Sequence, residues 1–317
     1  NLTGSDDNDA LSGNGGDNIL DGGLGDDTLI GRGGDDSFIG GLGTDLVDYT
    51  GAAAGINVNL TTGVASNDGD GGQDSFSGVE DITGSLYNDN ITGDSAANAL
   101  TGQAGDDVLA GRGGSDVLDG GAGNDTASYV NAAGSVVADL QTAGASNDGD
   151  GAADSFISIE NLSGSANNDI LSGDNTANIL RGNGGDDTLT GRGGADVLDG
   201  GAGNDTISYS GATLSVNLDL AAGTATNDGY GSPDTLIDIE NVVGSDQADV
   251  LAGNSADNIL NGGAADDILT GRGGDDDLIG GAGNDTANFA DAAAGGTASL
   301  TAGSATDDGD GGSDTFS

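Results

Sequence analysis

The sequence predicts an all-β chain wound as a parallel β-roll, a solenoid of short strands joined by tight glycine turns. Three observations carry that expectation. A nine-residue pattern opens on glycine; its eighth place is apolar; and an unbroken 80-residue tandem contains it.

The nonapeptides come first. From Gly4 the chain reads GSDDNDALS, GNGGDNILD, GGLGDDTLI, GRGGDDSFI and GGLGTDLVD. Each has Asp or Asn at its sixth place and an apolar residue at its eighth: Leu11, Leu20, Leu29, Phe38 and Val47. A nine-residue period suits neither an amphipathic helix nor a long strand. It suits a turn of about six residues followed by a strand of about three, with one side chain inward and its neighbours facing solvent. Two nonapeptides then make one coil, and coils stack in parallel about 4.8 Å apart around a narrow aliphatic core.

The longer period follows from the same landmarks. Gly31-Arg32-Gly33-Gly34 recurs from Gly111, Gly191 and Gly271, and Tyr49, Tyr129, Tyr209 and Phe289 keep that spacing. Four units result, at 1–80, 81–160, 161–240 and 241–317, each with five nonapeptides and a different 35-residue segment, and one continuous solenoid is expected. The chain begins at Asn1 and stops three places short of a fourth full unit, so it is expected to be a piece of something longer.

Composition then demands a cation. The chain has 54 acidic residues against 5 basic ones, a formal net charge of −49, and 65 glycines among 317 residues. So little apolar side chain cannot offset the entropy of ordering so much glycine, and self-repulsion opposes compaction further. Nucleic acid and anionic membrane surfaces would be repelled by such a chain. No stretch approaches the length of an apolar membrane span. Cysteine and histidine are absent, so thiolate and imidazole metal sites are excluded, which argues against zinc, copper or iron. Calcium, which takes six to eight carboxylate and carbonyl oxygens at about 2.3–2.6 Å, fits turns rich in both. Two stacked turns, each giving one carboxylate and two carbonyls, would reach six, pairing Asp9 with Asp27, Asp27 with Asp45 and Asn18 with Asp36.

GGLGDDTLI, GGAGNDTAS and GGAGNDTIS resemble the G-G-x-G-x-D-x-U-x repeat of the RTX, or hemolysin-type, calcium-binding family. The resemblance implies a parallel β-roll, several Ca²⁺ ions, export by type I secretion machinery and folding outside the cell. It implies side-chain ligation by the sixth-place Asp. That role carries over to Asp27, Asp36, Asp45, Asp107, Asp116, Asp125, Asp187, Asp196, Asp205, Asp267, Asp276 and Asp285. Asp9, Asp89, Asp169 and Asp249 stand in first nonapeptides that match less well, and Asn18, Asn98, Asn178 and Asn258 replace Asp in the second; those sites are expected to be weaker or empty.

In the 35-residue segment, Ile56, Val58 and Leu60 alternate with polar residues, as do Val216, Leu218 and Leu220, which predicts a strand with one buried face. A further calcium site is expected where three acids crowd: Asp68, Asp70 and Asp74; Asp148, Asp150 and Asp154; Asp308, Asp310 and Asp314. The third unit keeps Asp228 and Asp234 but has Tyr230 between them, which puts its site in doubt. Arg32, Arg112, Arg192 and Arg272 are expected to offset nearby carboxylates, the sharper alternative being acids of a neighbouring chain. Tyr49 and its equivalents are expected under the segment's strand, and Glu80, Glu160 and Glu240 in structural hydrogen bonds.

Catalysis finds little support, because the absence of His, Cys and Lys removes most nucleophile and base arrangements and every Asp belongs to a repeat. The leading expectation is an extracellular, cell-surface structural region that self-associates into a stalk, fibre, adhesin or S-layer. The alternative is a calcium-binding folding module attached to a secreted enzyme.

Overall fold

The computed structural model describes residues 1–317, and every regular element in it is a strand. Two compact bodies form, Asn1–Ser163 and Gly164–Ser317, each holding two of the 80-residue units. The first extends three residues beyond the sequence boundary because strand Asn161–Ser163 pairs in parallel with Thr126–Ser128.

Within each body the eighth-place residues stack in two facing parallel ladders. In the first body one ladder runs Leu2, Leu20, Phe38, Phe76, and the other Leu11, Leu29, Val47, Ile82, Leu100, Leu118, Phe156. Leu20, Leu29, Phe38, Val47, Ile82, Leu100 and Leu118 are wholly buried, whereas seventh-place Ile19 and Val117 remain about 40% exposed (45% and 39%). One apolar side chain per strand therefore faces the interior, and each contributes about 1.5–3 kcal/mol on burial. The second body repeats this with Leu171, Leu189, Ile207, Val242, Leu260 and Leu278 on one side.

The 35-residue segment departs from the expected single strand. Asn57–Asn59, Val64–Asn67 and Asp74–Ser77 form an antiparallel meander laid into the parallel sheet, next to Ser37–Leu42 on one side and Asn90–Thr92 on the other. Its last strand belongs to a disguised nonapeptide, Gly69 to Ser77, with Asp74 sixth and Phe76 eighth. Phe76 stacks on Phe38 at 5.7 Å between ring centroids. The chain then crosses in a coil shortened by three residues, where Ile82 takes the eighth place and Glu80 the sixth.

Five nonapeptides, one meander and one short coil make an odd number of half-turns. Consecutive units therefore begin on opposite sheets. The meander at 57–77 lies in one sheet of the first body and that at 137–157 in the other; 216–237 and 297–316 divide likewise in the second. The structural period is thus two sequence units.

Candidate metal centres

The sixth-place side chains line both edges of each body as hydrogen-bonded ladders. Oδ1 of Asp27 accepts the Asp9 N–H at 2.8 Å, Asp45 accepts from Asp27 at 2.8 Å, and Oε2 of Glu80 accepts from Asp45 at 2.9 Å. On the opposite edge Asn18 donates to Asp36 at 2.7 Å and Asp36 to Asp74 at 2.9 Å. The same series recurs through Asp107, Asp125 and Glu160, through Asp116 and Asp154, through Asp187, Asp205 and Glu240, and through Asp196 and Asp234. Asp267, Asp276, Asp285 and Asp314 complete it, with Asp285 exposed. The glutamates thus make structural hydrogen bonds, their longer side chains reaching across the shortened coil.

What happens to the second oxygen sorts the turns into two kinds. In the first nonapeptides it is taken up locally: the Ser85 N–H donates to Asp89 Oδ2 at 2.6 Å and the Ser85 hydroxyl to Oδ1 at 2.7 Å. Ser5, Ser165 and Ser245 close Asp9, Asp169 and Asp249 in the same way through their backbone N–H groups. In the second nonapeptides Oδ1 of Asn18, Asn98, Asn178 and Asn258 accepts the N–H four residues back at 2.7–2.8 Å. These turns are capped by their own chain, which gives the mismatched first nonapeptides a physical character the sequence only hinted at.

The third, fourth and fifth nonapeptides are open. Oδ2 of Asp27, Asp36, Asp45, Asp107, Asp116, Asp125, Asp187, Asp196, Asp205, Asp267 and Asp276 is buried with no hydrogen-bond donor. Leaving a charged oxygen so costs several kcal/mol unless a cation compensates it. Burial pushes the carboxyls of Asp107 and Asp267 up to about 6, and those of Asp116, Asp187, Asp196 and Asp276 to about 7. Backbone N–H groups oppose the rise and neighbouring carboxylates add to it.

A backbone feature separates the two kinds. The second residue of every third, fourth and fifth nonapeptide has positive φ, from Gly23 (108°), Arg32 (75°) and Gly41 (119°) to Arg272 (75°) and Gly281 (91°). No second residue of a first or second nonapeptide does. Where φ is positive, the second-place N–H does not close on the sixth-place side chain, and the carboxylate stays open. Arg32, Gln103, Arg112, Asn183, Arg192 and Arg272 hold this conformation despite a Cβ, at about 1–2 kcal/mol each. Carbonyls converge at the same place: a Cβ on Gly22 would fall on Asp27 Oδ2 and lie 2.7 Å from the Gly40 carbonyl oxygen of the next coil. Buried, orphaned carboxylate oxygens beside carbonyls form an all-oxygen donor set, and that set fits Ca²⁺.

With this geometry in place, the comparison with protein families is decisive. The RTX calcium-binding nonapeptide repeat model matches residues 1–29, 12–47, 74–109, 92–127, 172–207, 237–269 and 252–287, together more than half of the chain. The chain belongs to the RTX family. It is a calcium-binding repeat protein that takes several Ca²⁺ ions, and its strands form the β-roll such repeats build. No curated protein matches the chain. The match starting at Asp74 enters at the disguised nonapeptide.

The three acids of the 35-residue segment do not form a group that could hold a metal ion by themselves, although Asp148 and Asp150 lie near enough to Asp154 to raise its carboxyl. Asp70, Asp150 and Asp310 turn to the N–H groups of Ala53, Ala133 and Ala293. Asp74, Asp154 and Asp234 spend one oxygen on the ladder and the other on the hydroxyls of Tyr49, Tyr129 and Tyr209, at 2.7, 2.9 and 3.0 Å. Phe289 lacks that hydroxyl, so Asp314 Oδ2 is orphaned. Asp68, Asp148, Asp228 and Asp308 are different: Oδ1 of each accepts three successive N–H groups, and Oδ2 is buried without a partner. Tyr230 leaves that loop intact, since its own N–H donates to Asp228 at 2.7 Å. The tyrosine expectation gains a reason, because Tyr49 packs edge-on against Phe38 while its hydroxyl closes Asp74. Of the arginines, Arg272 forms an ion pair with Asp219 at 2.6 Å, and Arg112 donates to the Asn131 carbonyl at 3.2 Å.

Proposed function

We propose that this chain is a calcium-rigidified structural region of a secreted surface protein, working outside the cell as part of a stalk, adhesin, S-layer or filament. Its ions lie at the open turns, with Asp27, Asp36, Asp45, Asp107, Asp116, Asp125, Asp187, Asp196, Asp205, Asp267, Asp276 and Asp285 as side-chain ligands. The observation that carries the reading is regularity: positive φ marks the second place of the third, fourth and fifth nonapeptides in every unit, and the orphaned oxygen recurs at each of them except the exposed Asp285. An active site is a single departure from a pattern, and a repeated turn is a device for length and stiffness. RTX repeats are typical of secreted proteins, which supports an extracellular setting and export by type I machinery. Low calcium in the cytosol would keep such an acidic chain unfolded until export.

The test is electron microscopy and sedimentation of the purified chain with and without millimolar calcium. Calcium-dependent fibres or sheets are expected. A chain that stays monomeric and dispersed at high calcium and high concentration would remove the self-assembly reading and favour a folding module of a secreted enzyme.

A further inference from the structure

The orphaned oxygen of Asp68 has no role in the nonapeptide scheme. Asp68 stands immediately before the disguised nonapeptide and is wholly buried. Its Oδ1 is fixed by the N–H groups of Asp70, Gly71 and Gly72, each at 2.8 Å, so the carboxylate cannot swing to solvent. Its Oδ2 lies beside the fourth nonapeptide: a Cβ on Gly72 would strike the Gly34 carbonyl oxygen and sit 2.9 Å from Asp68 Oδ2. Gly34 is two residues from Asp36, whose own Oδ2 is also buried without a donor. A Cβ on Gly312 would likewise meet the Gly274 carbonyl and lie 3.1 Å from Asp308 Oδ2. All four units repeat the pair: Asp36 with Asp68, Asp116 with Asp148, Asp196 with Asp228 and Asp276 with Asp308, every member at most 2% exposed. Burial raises the Asp36 carboxyl, and the nearby Asp68 charge raises it further; the partner acid acts alike on Asp116, Asp196 and Asp276.

We infer that each 80-residue unit carries one two-carboxylate calcium site, formed where the preorganised Asp68-type side chain meets the orphaned carboxylate of the fourth nonapeptide and its fourth-place carbonyl. Calcium affinity rises with ligand charge and with site rigidity. A carboxylate already held by three N–H groups makes these four sites more rigid than those between stacked nonapeptide turns, so they load first and pin each meander to the repeat that precedes it. The inference rests on the proposed calcium ligation at the open turns and adds a second class of site, with ligands from outside the nonapeptides.

Calcium binding to the full chain, followed by calorimetry against a competing chelator, tests it. Two classes are expected, the tighter one holding four ions. Asp68→Asn keeps the Oδ1 acceptor and removes the free carboxylate oxygen. It should lower the tight class by one ion, weakening that site roughly tenfold or more, with circular dichroism at saturating calcium unchanged. Changing Asp68, Asp148, Asp228 and Asp308 together to Asn should abolish the class. A tight class unaltered by these changes would overturn the inference while leaving calcium binding at the open turns intact; no calcium binding at all would sink both. Crystals grown in calcium give a readout free of variants. An anomalous peak within about 2.6 Å of both Asp36 Oδ2 and Asp68 Oδ2 supports the site, and its absence beside filled open turns refutes it.

Discussion

Calcium-stripped protein moved from pH 8 to pH 4 should gain β-structure. The perturbed groups are the open-turn carboxylates, with values of about 6 for Asp107 and Asp267 and about 7 for Asp116, Asp187, Asp196 and Asp276, against 3.8 for the same group in a free chain. Because the folded value lies above the unfolded one, protons bind the folded form more tightly. Its stability contribution is complete below about pH 4 and is lost as pH rises through 6 to 7. A rise of about three pKa units is worth at most about 4 kcal/mol per ionised group. Solvent screening across a wall one side chain thick reduces that to on the order of 2 kcal/mol. A handful of such groups matches the 5–15 kcal/mol that stabilises an ordinary domain. Without calcium the roll is therefore unsustainable at pH 8, and protons substitute for ions as the solution is acidified. Far-UV circular dichroism at fixed ionic strength reads the change. Replacing Asp116, Asp187, Asp196 and Asp276 with Asn should move the transition to higher pH. A signal that stays flat or weakens on acidification would refute the idea that buried, uncompensated carboxylates keep the metal-free chain unfolded.

Three further outcomes follow from particular residues. Asp116→Asn should weaken calcium binding at one open turn, whereas Asp89→Asn should leave the ion count unchanged because Asp89 is already closed by Ser85; titration calorimetry distinguishes them. Gly23→Ala meets the Ser5 carbonyl oxygen at 2.5 Å and a φ of 108°, so it should cost at least about 1–3 kcal/mol in calcium. Gly15→Ala meets nothing within 4 Å, and thermal melts should place it within about 0.5 kcal/mol of the parent chain. Leu109→Ala empties a wholly buried position in a narrow core to which each strand contributes one side chain, and should cost about 2–5 kcal/mol in denaturant unfolding.

The nonapeptide coils were legible because one glycine, one acid and one apolar residue recur at fixed places, and each place has a single structural job. The 35-residue segment was harder to read because it breaks the period twice. An antiparallel hairpin precedes the disguised repeat at Gly69, and the following coil loses three residues. Asp74 with Phe76, and Glu80 with Ile82, keep the sixth-to-eighth spacing and were the available signal. The crowded acids take separate roles because neighbours in sequence face different donors: Asp70 a loop N–H, Asp74 a tyrosine hydroxyl. The division into open and capped turns was legible only in part. Serine at the second place marks a cap, but Gln103 and Asn183 take positive φ where Asp94 and Asp174 do not. Side-chain type alone does not reveal that choice; it depends on whether the sixth-place oxygen is claimed by its own turn.

The alternation of meanders between sheets follows from the odd number of half-turns per unit, a property of the count and of no single residue. Each body carries one insertion on each of its two sheets, which distributes the added strands evenly between them.

Chelation tests the central claim most directly. Far-UV circular dichroism of the chain at pH 7.5, with excess EDTA and then with millimolar calcium restored, should pass from the spectrum of a disordered coil to that of a β-roll. A β-spectrum unchanged by chelation would contradict the account, because the orphaned carboxylates would then be stable without their ions.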